Sequence, residues 1–515
     1  MHLRGASLFA PGRYLRTLAL LPALGILCPA LPAAAPSQLP APAREFVLTT
    51  TALADKNWDG RAGMLWNGPT QTSHGVRTTT WYLIALLLRD APGDRDRASQ
   101  VLQAILKHQI HAPGAAWHGT FYRTAEEATP RHDAKIWHDY DPNWRQFIGT
   151  ALVLVLAEFE DRLSTDDRQR IDQSLALAVE GELAHGRLRP SYTNISLMHG
   201  FLQSYAGKRL GRPDWVREGE AWIETVYAEF QPHGSFPEFN SPTYYGVDLY
   251  GLALLRRHGA TPRLVELGTL MERELWRDIA QFYHAGMRNL AGPFDRTYGM
   301  DLTRYASLLG VWLRLSLPEA EAPLPVPTAE TSHGHDLFFA PCFALLGVEI
   351  PDDVRPAFRH FSGERQITRP IADSRRVATA WLAPELMIGG EATGLSQNTQ
   401  GPAGQFRPAT IHWRAPDASV GWIALIQSSR VDAVASPHRL SIHAIGDSVV
   451  RVSVPGIARA QIDRECWKLP GLEVRVESDA GSFSFQAAAD YIDITYHAAT
   501  QLTLHPRLAS PSPQP

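Results

Sequence analysis

Gln146-Phe-Ile-Gly-Thr-Ala-Leu-Val-Leu-Val-Leu-Ala-Glu-Phe-Glu-Asp-Arg-Leu163 decides how the first half of this chain folds. Phe147, Ile148, Leu152, Val155, Leu156, Phe159 and Leu163 recur at the i, i+3, i+4 spacing of a helix with one packed face. Ser164 comes next, with Asp166 and Asp167 behind it, and its side-chain oxygen can accept an orphan N–H of a new first turn. The spacing predicts helices over 146–163 and 164–184. The same period extends outward over about 76–89, 95–109, 195–209, 214–230, 243–257, 262–282 and 301–314. Segments of this kind, joined by short Gly/Pro loops without strands between them, are expected to pack as helical hairpins in a bundle, solenoid or ring.

Beyond Leu317 the pattern changes. Pro318-Glu-Ala-Glu-Ala-Pro-Leu-Pro-Val-Pro-Thr328 reads as part of a Pro-rich linker over 318–332. After it the apolar period becomes two, as in 376–381, 409–413, 448–454, 472–476 and 491–496, so an antiparallel β-sandwich is expected over 333–508. Residues 509–515 read as a disordered tail.

At the other end, Arg4, Arg13 and Arg16 precede an apolar run from Leu18 to Leu31 and the small residues Ala33, Ala34 and Ala35. That order predicts an export signal over 1–35 and a periplasmic or secreted protein with no membrane span once the signal is removed. The roughly 480 residues that remain exceed what one core usually serves, which implies two domains. Cys342 and Cys466 are the cysteines left after processing, and the sequence leaves open whether they pair. A net charge of −4 argues against a nucleic-acid partner while leaving room for a local basic cleft.

The stretch richest in chemistry is His233-Gly-Ser-Phe-Pro-Glu-Phe-Asn-Ser-Pro-Thr-Tyr-Tyr-Gly-Val-Asp-Leu-Tyr250, a Gly/Pro-dense loop between two helical patterns. It resembles the catalytic loop of polysaccharide lyases that join an (α/α) toroid to a β-sandwich: the hyaluronate, chondroitin and xanthan lyases and the heparinase II/III-like superfamily. Gly234-Ser235-Phe236 matches their Gly-Ser-aromatic turn, and Tyr244 stands at the position of their catalytic tyrosine, eight residues after the aromatic. Glu238 resembles their acidic residue, Tyr192-Thr-Asn194 their Asn-bearing segment, and Asp295-Arg296-Thr-Tyr298 their Arg-bearing loop. The resemblance implies an (α/α) toroid or incomplete helical barrel over 45–317, with the sandwich after it. Two departures stand out: Phe239 replaces a histidine, and His233 replaces an acidic residue at the opening of the turn. Either His199 or His233 is expected to take over the imidazole's role.

The resemblance further implies a lyase acting on a uronic-acid-containing glycan, with Tyr244 as base and then acid. Asn194, a histidine and a protonated Glu238 would hold the substrate carboxylate, and Arg296 would lower the tyrosine's pKa. Tyr245, Asn240, Tyr298, Trp144 and Asn143 are candidate substrate contacts, and no metal or organic cofactor is called for. Each residue has a plainer role open to it: packing for the tyrosines, a satisfied core position for His199, helix capping for Asn194, a surface ion pair for Arg296. Trp117, Trp137 and Trp144, near His118, His138, Asp141 and Asn143, read as helix packing or as sugar-stacking platforms. His333-Gly-His335-Asp336 has ligand-type residues without an evident partner cluster, and Gln405–Trp413 is expected to line the domain interface. One rival is an (α/α)-barrel glycoside hydrolase, glucuronidase-like, pairing Glu238 with Asp139 or Asp141. Another is a non-catalytic glycan-binding protein.

Overall fold

Helix formation follows the apolar period closely. The helices are α1 (Ala41–Asp55), α2 (Val76–Arg89), α3 (Asp94–Lys107), α4 (Trp144–Phe159), α5 (Thr165–Leu183) and α6 (Thr193–Arg209). They continue with α7 (Pro213–Phe230), α8 (Tyr244–His258), α9 (Pro262–Phe282), α10 (Leu308–Ser316) and α11 (Ala340–Leu346). The coordinates are a computed structural model that describes residues 38–509, apart from 69, 372, 398 and 400–403. The signal expected over 1–35 and the tail 510–515 lie outside the described residues.

Ser164 caps α5 as its residue type requires, accepting the Asp167 N–H at 3.0 Å. Helices α2, α4, α6, α8 and α10 pack side by side, and α1 closes the ring by touching both α10 and α2. The Arg314 side chain of α10 seals that seam, donating to Glu45 of α1 at 2.7 Å. The ring helices are buried on nearly every side, whereas α3, α5, α7 and α9 lie outside them and keep a polar face. The architecture is an (α/α) toroid.

Packing within the ring is tight where glycine permits it. At Gly246 of α8 an added Cβ would lie 2.5 Å from the backbone carbon of Leu308, and the Gly246 carbonyl accepts from Trp312 of α10 at 2.9 Å. Gly246→Ala is therefore expected to destabilise the fold by about 1–3 kcal/mol through overpacking. An unchanged melting temperature would contradict this α8–α10 contact.

The large sheet begins at Arg365, later than the sequence placed it, and the helical half is not free of strands: Trp58–Asp59 pairs with Met64–Leu65, and Tyr283–His284 with Asn289–Leu290. Residues Gly334–Phe339 form a short 3-10 helix leading into α11. Leu337-Phe-Phe-Ala-Pro-Cys-Phe-Ala-Leu-Leu346 is apolar throughout, so it carries no period to distinguish helix from strand. In the fold it plugs the ring, with Phe339 stacked on Trp81 at 4.1 Å and Phe343 on Trp312 at 4.3 Å. The Pro-rich segment before it is not a free spacer, because Ala322 and Leu324 are buried against the ring.

From Arg365 onward an antiparallel sheet of fourteen strands folds around its own core, including Trp381, Ile411, Trp413, Trp467 and Tyr496. Toroid and sheet belong to one compact unit. As expected, 405–413 meets the toroid: Arg407 and Phe294 exchange backbone hydrogen bonds of 2.8 and 3.0 Å, and His412 Nε2 lies 3.0 Å from the Met300 carbonyl. Cys342 and Cys466 are both free thiols.

Candidate active site

The connection from α7 to α8 is held in place from several directions. Gly234 has φ +59°, a left-handed conformation that favours glycine, and Arg369 of the sheet donates to the His233 and Gly234 carbonyls at 2.8 and 3.2 Å. Phe239 is buried edge-on to Phe282 at 5.5 Å, and its N–H donates to Asp295 at 2.9 Å. The Asp295 carboxylate is in turn paired with Arg376. Ser241 then joins this loop to the arginine-bearing one: its hydroxyl accepts from the Tyr244 N–H at 3.1 Å and donates to the Arg296 carbonyl at 2.6 Å. Tyr244, the first residue of α8, is thereby placed against Arg296.

The Tyr244 hydroxyl lies 2.9 Å from that of Tyr298, and the Arg296 guanidinium sits 3.9 Å from the Tyr244 ring centre. Arg296 donates to Glu238 at 2.7 Å and to Gln405 of the sheet at 3.0 Å. The other oxygen of Glu238 accepts from Asn194 at 2.7 Å. Burial drives the Tyr244 pKa well above its ordinary value, and Tyr298 and Glu238 add to the rise while Arg296 opposes it. The sequence leads one to expect Arg296 to bring the phenol toward working pH, but burial outweighs it. Glu238 is likewise raised by burial, against the pull of its bonds to Arg296 and Asn194.

These groups border a cavity of about 760 Å³, within the range of roughly 300–1,000 Å³ usual for ligand sites. Tyr244, Asn194, Arg296, Tyr298 and Asn143 stand on its wall. Six other candidates do not. Glu238 bridges Asn194 and Arg296 from behind. Tyr245 is fully buried and donates to Asp278 at 3.1 Å. Asn240, at φ +50°, donates to the carbonyls of Ala291 and Pro293 at 2.7 and 2.8 Å. The Trp144 ring packs under Arg77, 5.2 Å from its guanidinium. His233 contributes a backbone carbonyl to the Arg369 clamp.

His199 is the clearest correction. Residues five apart on a helix differ by about 140°. Asn194, the second residue of α6, faces the cavity, whereas His199 meets Trp222 of α7 edge-on at 5.4 Å. Asn194 caps nothing: the cap position is Tyr192, whose hydroxyl accepts from Asn143 at 2.7 Å.

The imidazoles at the cavity are instead His333 and His335, which the sequence flagged without a partner cluster. His333 stacks on Tyr298 at 4.4 Å, and its ring nitrogens, those of His335 and the Asp336 carboxylate include ligand atoms within 4.8 Å of one another. That group could hold a metal ion, although the positive charge of Arg77 on the same wall opposes a cation there. Asp141 also lines the cavity, with its pKa raised by burial, whereas Asp139 is tied to His138 outside the wall.

Burial lowers His199, His284 and His412 each to about 4. They are neutral in the fold at pH 7, while the unfolded chain takes up protons below about 6.5. Their contribution to stability is thus complete above about pH 6.5 and is lost as pH falls toward 4. Melting temperature is expected to fall across that window, and His199→Gln should flatten part of the slope. An unaltered slope in all three single variants would contradict the assignment.

A toroid with an appended antiparallel β-domain, carrying a tyrosine–arginine–asparagine cluster beside a cavity, is the class that fold and site define. Residues 45–348 match the family described as Domain of unknown function (DUF8769), and residues 359–502 match one described as Domain of unknown function (DUF8770). The first match spans more than half of the chain, which therefore belongs to the DUF8769 family. No curated protein matches. Among solved structures, one described as "Crystal Structure of Heparinase III" is 10% identical, with a TM-score of 0.45 over 96% of this chain and 88% of that one. A heparinase III gene product with methylated lysines is also 10% identical, with a TM-score of 0.31 over 84% and 77%.

Proposed function

We propose that this protein is an exported polysaccharide lyase that cleaves a uronic-acid-containing glycan by β-elimination, with Tyr244 transferring the proton. The observation that carries the reading is the Tyr244 phenol on the cavity wall, bonded to Tyr298, beneath Arg296 and beside Asn194. Elimination removes the proton at C5 of a uronate, next to a carboxylate whose charge disfavours the developing carbanion. An amide donor such as Asn194 stabilises that enolate-like state, and preorganised donors of this kind are often the largest catalytic term.

Burial keeps Tyr244 a phenol, so it must release a proton before it can accept one from C5. Tyr298, in hydrogen-bond contact, can relay that proton by giving up its own to solvent base as it accepts the one from Tyr244, and Arg296 favours the Tyr244 phenolate once it forms. The same hydroxyl then protonates the leaving O4 on the same face of the sugar. Glu238 acts by position, holding Asn194 and Arg296 rather than touching substrate. Export to the periplasm or beyond rests on the basic and apolar pattern of residues 1–35.

The test is incubation with a panel of uronate glycans while monitoring the ultraviolet absorbance of the conjugated unsaturated product. Absorbance rising with at least one glycan supports the reading. Release of reducing sugar without it would favour hydrolysis instead, for which Asp141 and Asp336 are the carboxylates on the wall.

A further inference from the structure

Arg77 is out of keeping with the other arginines near the cavity. Arg296 has Glu238, Arg187 has Glu182, and Arg376 has Asp295 and Glu391. Among the described residues Arg77 makes no ion pair, and its Nε is buried without a hydrogen-bond partner. It is also the second residue of α2, whose first turn contains no acidic residue. A cation there faces the positive end of the helix dipole, an unfavourable location. What holds it is a set of aromatic faces: the guanidinium lies 5.0 Å from Trp81, 5.2 Å from Trp144 and 5.0 Å from Phe147. Aromatic faces take up the flat side of a guanidinium and leave its N–H edges for a planar anion.

Arg77 lines the cavity that Tyr244 borders. The same wall carries Trp137, an indole 49% exposed and held at φ +67°, with Arg187 5.8 Å from its ring. An exposed indole on the same wall as a guanidinium without an ion pair offers a sugar ring an apolar face and its acidic substituent a donor group.

We infer that Arg77, with Trp137, forms a second anion-binding subsite, which takes the carboxylate or sulfate of the sugar next to the reacting uronate. The inference rests on the lyase reading for the identity of the reacting sugar, but not for the binding of the anion. It makes the preferred substrate a glycan with acidic groups on consecutive sugars. Asp141, on the same wall, is raised by burial and drawn back by Arg77 first among the arginines, so the field of Arg77 already reaches across this end of the cavity.

The test compares the full chain with R77M and R77K, using three tetrasaccharides: an oligoglucuronate, an unsulfated alternating glucuronate–N-acetylhexosamine, and the latter O-sulfated on its hexosamine. Calorimetric binding reads the subsite without turnover. The intact chain should bind one of the two ligands with adjacent anions at least about tenfold more tightly than the unsulfated alternating one, the scale of a hydrogen bond to a charged group. R77M should lose most of that preference, and R77K, which retains charge but not the planar fork, should lose part of it. Preference for the oligoglucuronate identifies a carboxylate, and preference for the sulfated chain a sulfate. No preference in the intact chain overturns the subsite, as does a preference unaltered in a folded R77M or, should R77M melt early, in R77K. An Arg77-dependent preference without any unsaturated product would overturn the lyase reading and leave the subsite standing.

Discussion

Tyr244→Phe is expected to reduce turnover by about 10²–10⁴-fold or more, the usual cost of losing a positioned proton-transfer group. The substitution is narrow. Phenylalanine keeps the ring beneath Arg296 and removes only the hydroxyl with its 2.9 Å bond to Tyr298. That single bond contributes about 1 kcal/mol to stability, so the melting temperature and the affinity for substrate should change little. Tyr244 need not be ionised at rest for this to hold. Burial keeps it a phenol, so the rate should climb as pH rises through neutrality, when loss of its proton becomes easier. A purified, folded variant that keeps more than about a tenth of the wild-type rate would mean another group moves the proton.

The second large effect is expected at Asn194. Asn194→Ala should lower turnover by about 10²–10³-fold, the loss found when one donor to a developing oxyanion is removed. The amide lies on the cavity wall and caps no helix, so its removal does not open α6. It does leave Glu238 with one donor fewer, and a buried carboxylate deprived of a partner costs about 1–3 kcal/mol. Rate and stability should therefore both fall, with the rate falling far further. Normal turnover in a variant with a lowered melting temperature would reduce Asn194 to a support for Glu238. Measuring kcat alongside thermal unfolding on the same preparation separates the two.

How much of the fold and site is legible in the sequence varies by element. The 3.6-residue period places α2 from Val76 to Arg89 and α9 from Pro262 to Phe282, and Ser164 marks the start of α5. Strands of period two, such as Ala409–Arg414, are equally readable. What fails has no period to read. Residues 334–346 are largely apolar because they plug the ring, and sequence alone assigns them to the start of the sandwich. At the site, Tyr244, Asn194, Arg296 and Tyr298 come from local motifs, and the fold brings them together. Local spacing points to His199 and His233 for the imidazole because they lie close to those motifs in sequence. His333 and His335 reach the cavity only because α11 folds back into the ring, a tertiary event that local spacing does not encode. Two signals were present in the sequence all the same: the ligand-type pair itself, and the 140° that separates His199 from Asn194 on one helix.

The role of Tyr244 depends on whether a bond is broken by elimination. The most direct measurement is digestion of an oligoglucuronate in water enriched in heavy oxygen, with mass spectrometry of the fragments. Elimination predicts one fragment lighter by a water molecule, with a double bond in its terminal uronate and no heavy oxygen at the cleaved linkage. Fragments carrying one heavy oxygen, with both sugars saturated, would contradict elimination and with it the role assigned to Tyr244.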